Sequence, residues 1–276
     1  MKFFYTILPV GKELRHLPRT KFGIYFTEVA EIKKVAAKYK LQVVGVHQHI
    51  GSGIRNPEQY LFAMDVLIKV AAQFDGLEFV NFGGGIGVNY KPDDSPINIT
   101  EFGKKISDKF SQFCKKYGKD IMLYLEPGRY IVCESGFLIA QVNNRQSTPA
   151  HTFIGIDTGF NHLIRPTMYG SYHPIINASN AEGKVGKKEK VVIAGNICES
   201  GDVFTRDENG PVDRELPYCT VGDIIVITHA GAYGYVMASE YNSRPLPMEI
   251  MVSGGKSEVI RKKQSMDDVL RGTFLI

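Results

Sequence analysis

Residues 41–52, LQVVGVHQHIGS, contain the pattern that decides the fold of this 276-residue chain. Their first half is a β-branched apolar run, which predicts a short buried strand, and their second half supplies polar residues and glycine directly after it. Two further apolar runs, at 79–82 and 121–125, also end in such clusters, which read GGGIG at 83–87 and EPGR at 126–129. Strands that carry polar or glycine-rich residues at their carboxyl ends are typical of parallel βα units.

Amphipathic helices are predicted between these strands. Apolar residues recur at helical spacing over 27–40, 57–74 and 100–117, and Gly118 is placed to end the third helix. This alternation favours part of a (β/α) barrel, and an open doubly wound sheet is the alternative. The sequence shows about four strands of this kind, whereas a complete barrel has eight.

The pattern changes after about residue 137, where apolar runs follow one another without long helices. Glycine, proline, asparagine and aspartate separate the runs, which predicts a mostly antiparallel β domain. Residues 253–256 predict a hairpin turn, and residues 265–271 predict a short terminal helix. We therefore predict an α/β plus β protein, with part of a TIM-type (β/α) barrel over 1–136 and a β-rich domain over 137–276. The apolar runs of the second region are 137–142, 153–156, 191–194, 223–228 and 248–252.

The composition argues against several classes of function. The net charge of +4 includes no basic block with interleaved aromatic residues, so we expect no nucleic-acid partner. None of the four cysteines has a second cysteine or a histidine at zinc-binding spacing, so we expect no metal site. No apolar run approaches the ~18 residues of a membrane span, and the first residues lack the layout of a signal peptide. We expect a cytoplasmic protein with reduced thiols.

Four groups of residues could carry chemistry, and each has a plainer interpretation. The GGGIG turn leaves backbone N–H groups open to a phosphate, or it serves only close packing. Glu126 and Arg129 offer a carboxylate and a planar fork, or they form a surface ion pair. His49 is a ring that stacks on a ligand, or a core histidine. Residues 194–202, AGNICESGD, present Cys198 beside an acid in a tight turn, or they contain a small buried thiol.

The β region adds a second arginine, Arg165, and two phenols, Tyr169 and Tyr233. Together, these groups supply a phosphate cradle, two carboxylate forks, an acid, a thiol and several phenols. Such a set suits a phosphorylated cofactor that acts on an amino acid with more than one charged group.

Six stretches, in this order, resemble the diaminopimelate decarboxylases, a family of alanine-racemase-like enzymes that use pyridoxal 5′-phosphate. The resemblance extends from about residue 21 to the C-terminus. It implies a cofactor-binding barrel followed by a β domain, in a head-to-tail homodimer with active sites at the interface. The matching stretches are 49–52, 83–85, 126–129, 165–166 with 169–173, 198–202 and 231–234.

The resemblance also implies a role for each candidate residue. His49 would lie against the ring of the cofactor, Glu126 would pair with its pyridinium nitrogen, and Cys198 would donate a proton in the active site of the other subunit. The implied cofactor-binding residues are His49, Ser52, Gly85, Glu126, Gly128, Arg129 and Tyr233. The implied substrate-binding residues are Arg129, Arg165, Tyr169, Glu199 and Tyr233.

Physical chemistry agrees with the reaction that the resemblance implies. An Arg–carboxylate contact contributes roughly 1.5–3 kcal/mol, so two such arginines discriminate a diacid from a monocarboxylic amino acid. A thiol is mostly protonated at neutral pH and can supply the proton that replaces the lost carboxylate. We therefore expect decarboxylation of meso-2,6-diaminopimelate to L-lysine, in preference to the decarboxylation of ornithine or arginine.

One element of the family pattern is missing. The resemblance places the lysine that forms a Schiff base with the cofactor on an early barrel strand, and none of Lys2, Lys12 and Lys21 stands in such a context. Residues 1–20 fit neither the family pattern nor a strand. We therefore expect a fragment of a complete decarboxylase. The alternatives are a non-catalytic homologue that pairs with a full-length subunit, and a decarboxylase for another basic amino acid or polyamine precursor.

Overall fold

The computed structural model describes residues 2–8 and 23–274 of the chain. These residues form two compact units. The first unit holds the residues up to Asn89 together with Asp94–Ile131, and the second holds Tyr90–Asp93 together with the residues from Val132 onward. A domain boundary between residues 136 and 137 stays a prediction.

A five-stranded sheet is the framework of the first unit. Its order is β2-β1-β3-β4-β5, and every neighbouring pair of strands is parallel. Helices alternate with the strands from β2 onward, so the predicted βα units are confirmed. The strands are β1 (Lys2–Leu8), β2 (Ile24–Tyr25), β3 (Gln42–Gln48), β4 (Phe79–Asn81) and β5 (Met122–Tyr124). The helices are α1 (Val29–Lys38), α2 (Pro57–Ala71) and α3 (Ile99–Tyr117).

The expectation that residues 1–20 contain no strand was wrong, because β1 occupies Lys2–Leu8 and pairs in parallel with both β2 and β3. Its sequence, KFFYTIL, is rich in aromatic and β-branched residues, which favour a pleated strand. The remaining positions of that prediction, from residue 9 onward, lie outside the described residues.

Helix α2 shows how the sequence directs the local fold. The side chain of Asn56 caps the helix by accepting the N–H of Glu58 at 2.9 Å, and Pro57 stands in the first turn, where no N–H is needed. Apolar residues at spacings of three and four form one face, which packs into the core of the first unit. The buried residues of this face include Tyr60, Ala63, Met64, Leu67 and Ala71.

The second unit is built from strands and short helices, as the sequence predicts. Its six-stranded sheet has the order β12-β9-β7-β6-β13-β8, and only the β7–β9 pair is parallel. The strands are β6 (Leu138–Ser147), β7 (Thr152–Ile156), β8 (Ile175–Asn177), β9 (Glu189–Ala194), β10 (Arg206–Asp207), β11 (Gly210–Pro211), β12 (Arg214–Leu216), β13 (Ile224–Ile227), β14 (Glu249–Ser253) and β15 (Lys256–Arg261). The short α-helices among the described residues are α4 (Arg129–Val132), at the junction of the two units, and α5 (Arg165–Tyr169) and α6 (Met266–Val269) in the second unit.

Two predicted features of this region are confirmed. Strands β14 and β15 pair as an antiparallel hairpin, and both turn residues, Gly254 and Gly255, have positive φ angles of 56° and 75°. Ser265 caps α6 in a reciprocal capping box with Asp268. Within the described part of the chain, no helix is long and apolar enough to cross a membrane.

Tyr60 connects helix α2 to the glycine turn that follows β4. Its side chain is fully buried, and its hydroxyl donates to the backbone carbonyls of Phe82 and Gly83, both at 3.1 Å. Burial raises the pKa of Tyr60, and the negative charge of Glu126 raises it further. The hydroxyl therefore keeps its proton at neutral pH and donates it to two buried carbonyls.

We predict that Tyr60→Phe lowers the free energy of unfolding by about 1–3 kcal/mol, because two buried carbonyls lose their shared donor. Urea denaturation at neutral pH measures the change. Tyr39→Phe is the matched control, since Tyr39 is 62% exposed and loses the same hydroxyl at the surface. Equal stability of the two variants would contradict a structural role for the Tyr60 hydroxyl.

Candidate active site

Polar side chains gather where β3, β4 and β5 reach their carboxyl ends. The register of the sheet places His47 beside Asn81 and places Asn81 beside Tyr124. Side chains alternate between the two faces of a strand, so residues two positions apart share a face. Glu126 follows Tyr124 by two residues, and its carboxylate meets the side chains of His47 and Asn81.

Glu126 is held by two side chains although half of its own side chain is exposed. The Asn81 amide donates to Oε1 at 2.7 Å, and Nε2 of His47 lies 3.3 Å from the same oxygen. The amide oxygen of Asn81 in turn accepts the N–H of Gly83 at 2.8 Å. Asn81 thus fixes the carboxylate relative to the glycine turn. The carboxylate is oriented and still accessible to a ligand.

The glycine turn at 83–85 packs directly against neighbouring backbone. A Cβ atom at Gly83 would overlap the carbonyl of Gln48, one at Gly84 would overlap the carbonyl of Glu126, and one at Gly85 would overlap that of Gly51. Gly83 and Gly85 also have positive φ angles of 70° and 99°. Close packing therefore accounts for all three glycines. Contact of Gly85 with a phosphate stays a prediction.

The other candidates of the first unit lie on the loops that follow β3 and β5. The guanidinium of Arg129 donates from Nη2 to Oγ of Ser52 at 3.1 Å, so these two residues lie together. His49 and Gly128 are exposed on the same two loops. The surface ion pair between Glu126 and Arg129, which the sequence left open, is not observed, since Glu126 contacts Asn81 and His47.

In the second unit, Arg165 is surrounded by aromatic rings. It is 7% exposed, and its guanidinium lies 5.7–5.9 Å from the ring centroids of Tyr90, Tyr169 and Tyr233. Its Nη2 donates to Oγ of Ser171 at 3.1 Å. The structure thus brings together three predicted substrate-binding residues. It also adds Tyr90, which the sequence analysis missed because Tyr90 lies about 75 positions before Arg165.

Tyr90 belongs to a compact cluster of titratable side chains. Its hydroxyl lies 3.1 Å from Sγ of Cys133, and its ring centroid lies 5.4 Å from that of His173 and 5.5 Å from that of His229. His173 is fully buried, and its Nδ1 donates to the carbonyl of Thr228 at 3.0 Å. Cys133 is fully buried as well. The ring of Tyr90 therefore contacts both this cluster and the guanidinium of Arg165.

Cys198 and Glu199 lie on the loop that follows β9. Cys198 is exposed, so the interpretation of a buried thiol was wrong for this residue. The carboxylate of Glu199 accepts the N–H of Gly201 at 3.3 Å, which turns it back toward its own loop. The carbonyl of Gly201 accepts from Oγ1 of Thr167 at 2.9 Å, so this loop contacts α5, which also carries Arg165. The other cysteines, Cys114, Cys133 and Cys219, are buried.

Sequence reasoning missed the residues that hold the candidates in place. His47 has a readable signal, since it is a polar residue near the end of the apolar run that forms β3. Asn81 is the last residue of β4, where a polar residue ends an apolar run. No group of three or more His, Cys, Asp and Glu side chains that could bind a metal ion occurs among the residues described.

Residues 21–231 match the protein family described as pyridoxal-dependent decarboxylase, C-terminal sheet domain. Diaminopimelate decarboxylase of Methanothermobacter thermautotrophicus is 42% identical over 259 residues, which are 92% of this chain and 58% of that protein. The enzyme of Escherichia coli K12 is 37% identical over 258 residues, which are 91% of this chain and 60% of that protein. The chain therefore spans about 60% of the length of these curated relatives.

Solved structures agree with these relatives. A crystal structure of diaminopimelate decarboxylase matches 98% of this chain and 66% of its own, with a TM-score of 0.88 and 33% identity. The enzyme from M. jannaschii in complex with L-lysine matches 100% of this chain and 64% of its own, with a TM-score of 0.87 and 32% identity. Together with the parallel sheet and the separate β sheets, these matches confirm the predicted partial barrel followed by a β domain.

The buried His173 makes the stability of the second unit depend on pH. Burial lowers its pKa to about 4. The hydrogen bond to Thr228 opposes this shift, while the nearby charges of Arg165, His229 and Arg214 lower the pKa further. The unfolded chain, with an ordinary histidine pKa of about 6.5, binds the proton first as the pH falls. Its contribution to stability is therefore complete above about pH 6.5 and is lost between about pH 6.5 and pH 4.

We predict that the free energy of unfolding falls by about 2 kcal/mol more between pH 7.5 and pH 5 in the natural chain than in His173→Gln. Urea denaturation of both chains at the two pH values measures this difference. His151→Gln, which changes a partly exposed histidine, is the control and should keep the dependence of the natural chain. The same loss in His173→Gln as in the natural chain would contradict the assignment.

Proposed function

Because the chain belongs to the family of pyridoxal-dependent decarboxylases, which its residues 21–231 match, we propose that it acts in the decarboxylation of meso-2,6-diaminopimelate to L-lysine. Pyridoxal 5′-phosphate is the cofactor. The observation that carries the proposal is the carboxylate of Glu126, held by Asn81 and His47 at the carboxyl edge of the sheet. The relatives named diaminopimelate decarboxylase, and the lysine in one matched structure, support the choice of substrate and product.

The donor set of the first unit fits this cofactor. The oriented and half-exposed carboxylate of Glu126 suits the N–H of a pyridinium ring. The hydroxyl of Ser52 and the guanidinium of Arg129, which lie together, suit a phosphate. Gly85 and Gly128 lie on turns at the same edge of the sheet and are proposed to contact the cofactor, and the exposed ring of His49 suits a face of the pyridine. Tyr233 is proposed to contact both cofactor and substrate.

Glu126 has the task of keeping a ring nitrogen protonated. The bound cofactor supplies an electron sink for the electron pair that the departing carboxylate leaves behind. A carboxylate that is already oriented by Asn81 needs no rearrangement to accept the ring N–H, so its negative charge stabilises the proton at that nitrogen. His47, whose Nε2 lies 3.3 Å from the oxygen that accepts from Asn81, limits the rotation of the carboxylate further.

Arg165, Arg129 and Tyr169 are proposed to bind the end of the substrate that does not react. The three tyrosine rings around Arg165 stabilise its charge and restrict its movement. A restricted guanidinium fork selects a carboxylate by geometry as well as by charge. Glu199 is proposed to bind the distal ammonium group, which distinguishes diaminopimelate from a simple dicarboxylic acid.

Cys198 is proposed to return the proton. Its exposure on the loop after β9 makes the thiol accessible to a substrate held by another subunit. The carbon–carbon bond to the carboxylate breaks, carbon dioxide leaves, and the S–H proton of Cys198 is delivered to the same carbon. We therefore also propose a homodimer with shared active sites, in which each chain donates Cys198 and Glu199 to its partner. A cytoplasmic location agrees with the four free cysteines.

The direct test uses the purified chain with pyridoxal 5′-phosphate and meso-diaminopimelate. We predict release of carbon dioxide and formation of lysine either by the chain alone or by its mixture with a full-length family member, which is described below. In the active sample, Cys198→Ala should lose about 100-fold or more in rate, because a positioned proton donor contributes 10²–10⁴-fold. Cys219→Ala removes a buried thiol outside the proposed site and is the control.

A second arm separates the alternatives. The chain is co-expressed with a full-length family member whose own donor cysteine is replaced by alanine. Activity only in the mixture supports a chain that lends Cys198 and Glu199 without independent catalysis. Competition with ornithine and arginine tests the other substrates. No lysine formation in either arm contradicts the proposed function.

We predict that Arg165→Met weakens the binding of meso-diaminopimelate about 10- to 100-fold, since an Arg–carboxylate contact contributes roughly 1.5–3 kcal/mol. Methionine keeps the apolar length of the side chain and removes the fork. Titration calorimetry of the cofactor-loaded protein measures the change. Arg271→Met is the control, because Arg271 is exposed in the turn that follows α6. An unchanged affinity of Arg165→Met for meso-diaminopimelate would contradict a role of Arg165 in substrate binding.

A further inference from the structure

The loop that carries Cys198 is closed at its base. The N–H of Gly195 donates to the carbonyl of Asp202 at 2.9 Å, and Ala194 and Val203 form an antiparallel bridge. Further from the loop, along β9, the N–H of Phe204 donates to the carbonyl of Ile193 at 2.9 Å. Residues 196–201 therefore project from a fixed base that continues β9.

The side chain of Asp202 turns into this loop. It is 3% exposed, and its carboxylate accepts two backbone N–H groups at 2.7 Å, that of Ile197 at Oδ2 and that of Phe160 at Oδ1. Burial raises the pKa of the carboxyl, whereas these two hydrogen bonds and the charge of Arg244 lower it. Hydrogen bonds to an ionised acceptor are about twice as strong as neutral ones. The carboxylate thus joins the Cys198 loop to the segment that follows β7.

Two glycines make room for this carboxylate. A Cβ atom at Gly195 would overlap the carboxylate itself, and one at Gly159 would overlap the side chain of Ile197 and lie 3.0 Å from Oδ2. Neither glycine has a positive φ, so space and not backbone conformation requires glycine here. The buried carboxylate therefore explains why the second residue of the stretch, Gly195, is a glycine and why its last residue, Asp202, is an acid.

Hydrogen bonds fix the backbone of residues 195–197, directly before Cys198. The N–H groups of Gly195, Asn196 and Ile197 all donate, to the carbonyl of Asp202, to the carbonyl of Thr158 at 3.0 Å and to the carboxylate of Asp202. The side chain of Ile197 is buried as well. Cys198 is the first exposed residue after this run, so the direction of its side chain depends on where Ile197 is held.

We infer that Asp202 is a positioning residue for Cys198, whose carboxylate fixes the backbone at Ile197 and thereby the direction in which the thiol is presented. The inference rests on the proposed role of Cys198 as proton donor. Proton transfer requires the donor within hydrogen-bonding reach of the reacting atom, and a displacement of about 1 Å costs on the order of 100-fold in rate. Asp202 itself contacts no reacting atom and takes no part in proton transfer.

The first test is hydrogen exchange in Asp202→Asn, which keeps the shape of the side chain and replaces one acceptor oxygen by a donor. The amides of Ile197 and Phe160 should exchange about 10- to 100-fold faster, because one of them loses a hydrogen bond to a charged acceptor and the other bond is weakened. Amides within β9 should keep their rates. Asp108→Asn makes the same chemical change at an exposed position and is the control.

A second variant moves the carboxylate without changing its chemistry. Gly195→Ala places a methyl group where the carboxylate now lies, so it should reproduce the effect of Asp202→Asn. Gly201→Ala is the matched control in the same loop, because its Cβ would make only ordinary contacts of 3.4–3.9 Å, with the side chains of Thr167, Arg206 and Glu199. Exchange at Ile197 should therefore increase in the first glycine variant and not in the second.

Alkylation of Cys198 by iodoacetamide reports the position of the thiol without any need for activity. Cys198 is exposed whereas the other three cysteines are buried, so the fast phase belongs to one site. Asp202→Asn and Gly195→Ala should both change its rate in the folded protein, while Asp108→Asn and Gly201→Ala should not. Unchanged alkylation and unchanged exchange at Ile197 in the two folded variants would overturn the inference.

In an assembly that decarboxylates diaminopimelate, both variants should lower kcat by about 10- to 100-fold because the donor thiol is displaced, and KM should rise as well because the same loop carries Glu199. If no assembly that contains the chain is active, the proposed function is contradicted. The exchange and alkylation results then test the positioning role of Asp202 by themselves. If neither variant folds, the natural chain decides: strong protection of the Ile197 and Phe160 amides supports the inference, and exchange as fast as in an unprotected loop overturns it.

Discussion

Backbone contacts that only glycine allows hold the carboxyl ends of the strands together in the first unit. The turn at 83–85 lies against the carbonyls of Gln48, Gly51 and Glu126, each in the space that a Cβ atom would need. A side chain at any of the three positions would push the loops after β3 and β5 away from the end of β4. Tyr60 stabilises the same turn from the core through the carbonyl of Gly83. Every polar group proposed to contact the cofactor in this unit depends on that spacing, because each follows one of these strands.

Two carboxylates are used in opposite ways in the two units. Glu126 is bound by side-chain donors and remains half exposed, so its lone pairs are oriented and still accessible. Asp202 is buried and accepts backbone N–H groups, so its carboxylate oxygens stabilise the fold of its own loop. A buried carboxylate that lost these donors would leave an uncompensated charge, which costs several kcal/mol. Exposure and the kind of donor therefore separate an acid that can meet a ligand from an acid that positions a neighbour.

Local patterns in the sequence predicted much of the fold, and partners distant in the sequence could not be read from it. Strand β3 follows from a continuous β-branched apolar run, and helix α2 follows from a period of 3.6 residues, both of which lie within short windows. The hydrogen bond from Asn81 to Glu126 depends on the register between β4 and β5, which no local pattern encodes. The strand at Lys2–Leu8 was not predicted although its residues favour β structure, because its parallel partners β2 and β3 are distant in the sequence.

The surroundings of two arginines show why the function of a residue depends on its partners. Arg145 forms two hydrogen bonds of 2.6 Å with the carboxylate of Glu189, which cancels its charge and raises its pKa. Such a fork-to-fork pair stabilises the β domain and leaves little charge for a ligand. Arg165 is instead stabilised by three tyrosine rings, and an aromatic face attracts a cation without adding a negative charge. The ring contacts therefore hold the guanidinium of Arg165 in a different way from the ion pair that holds Arg145.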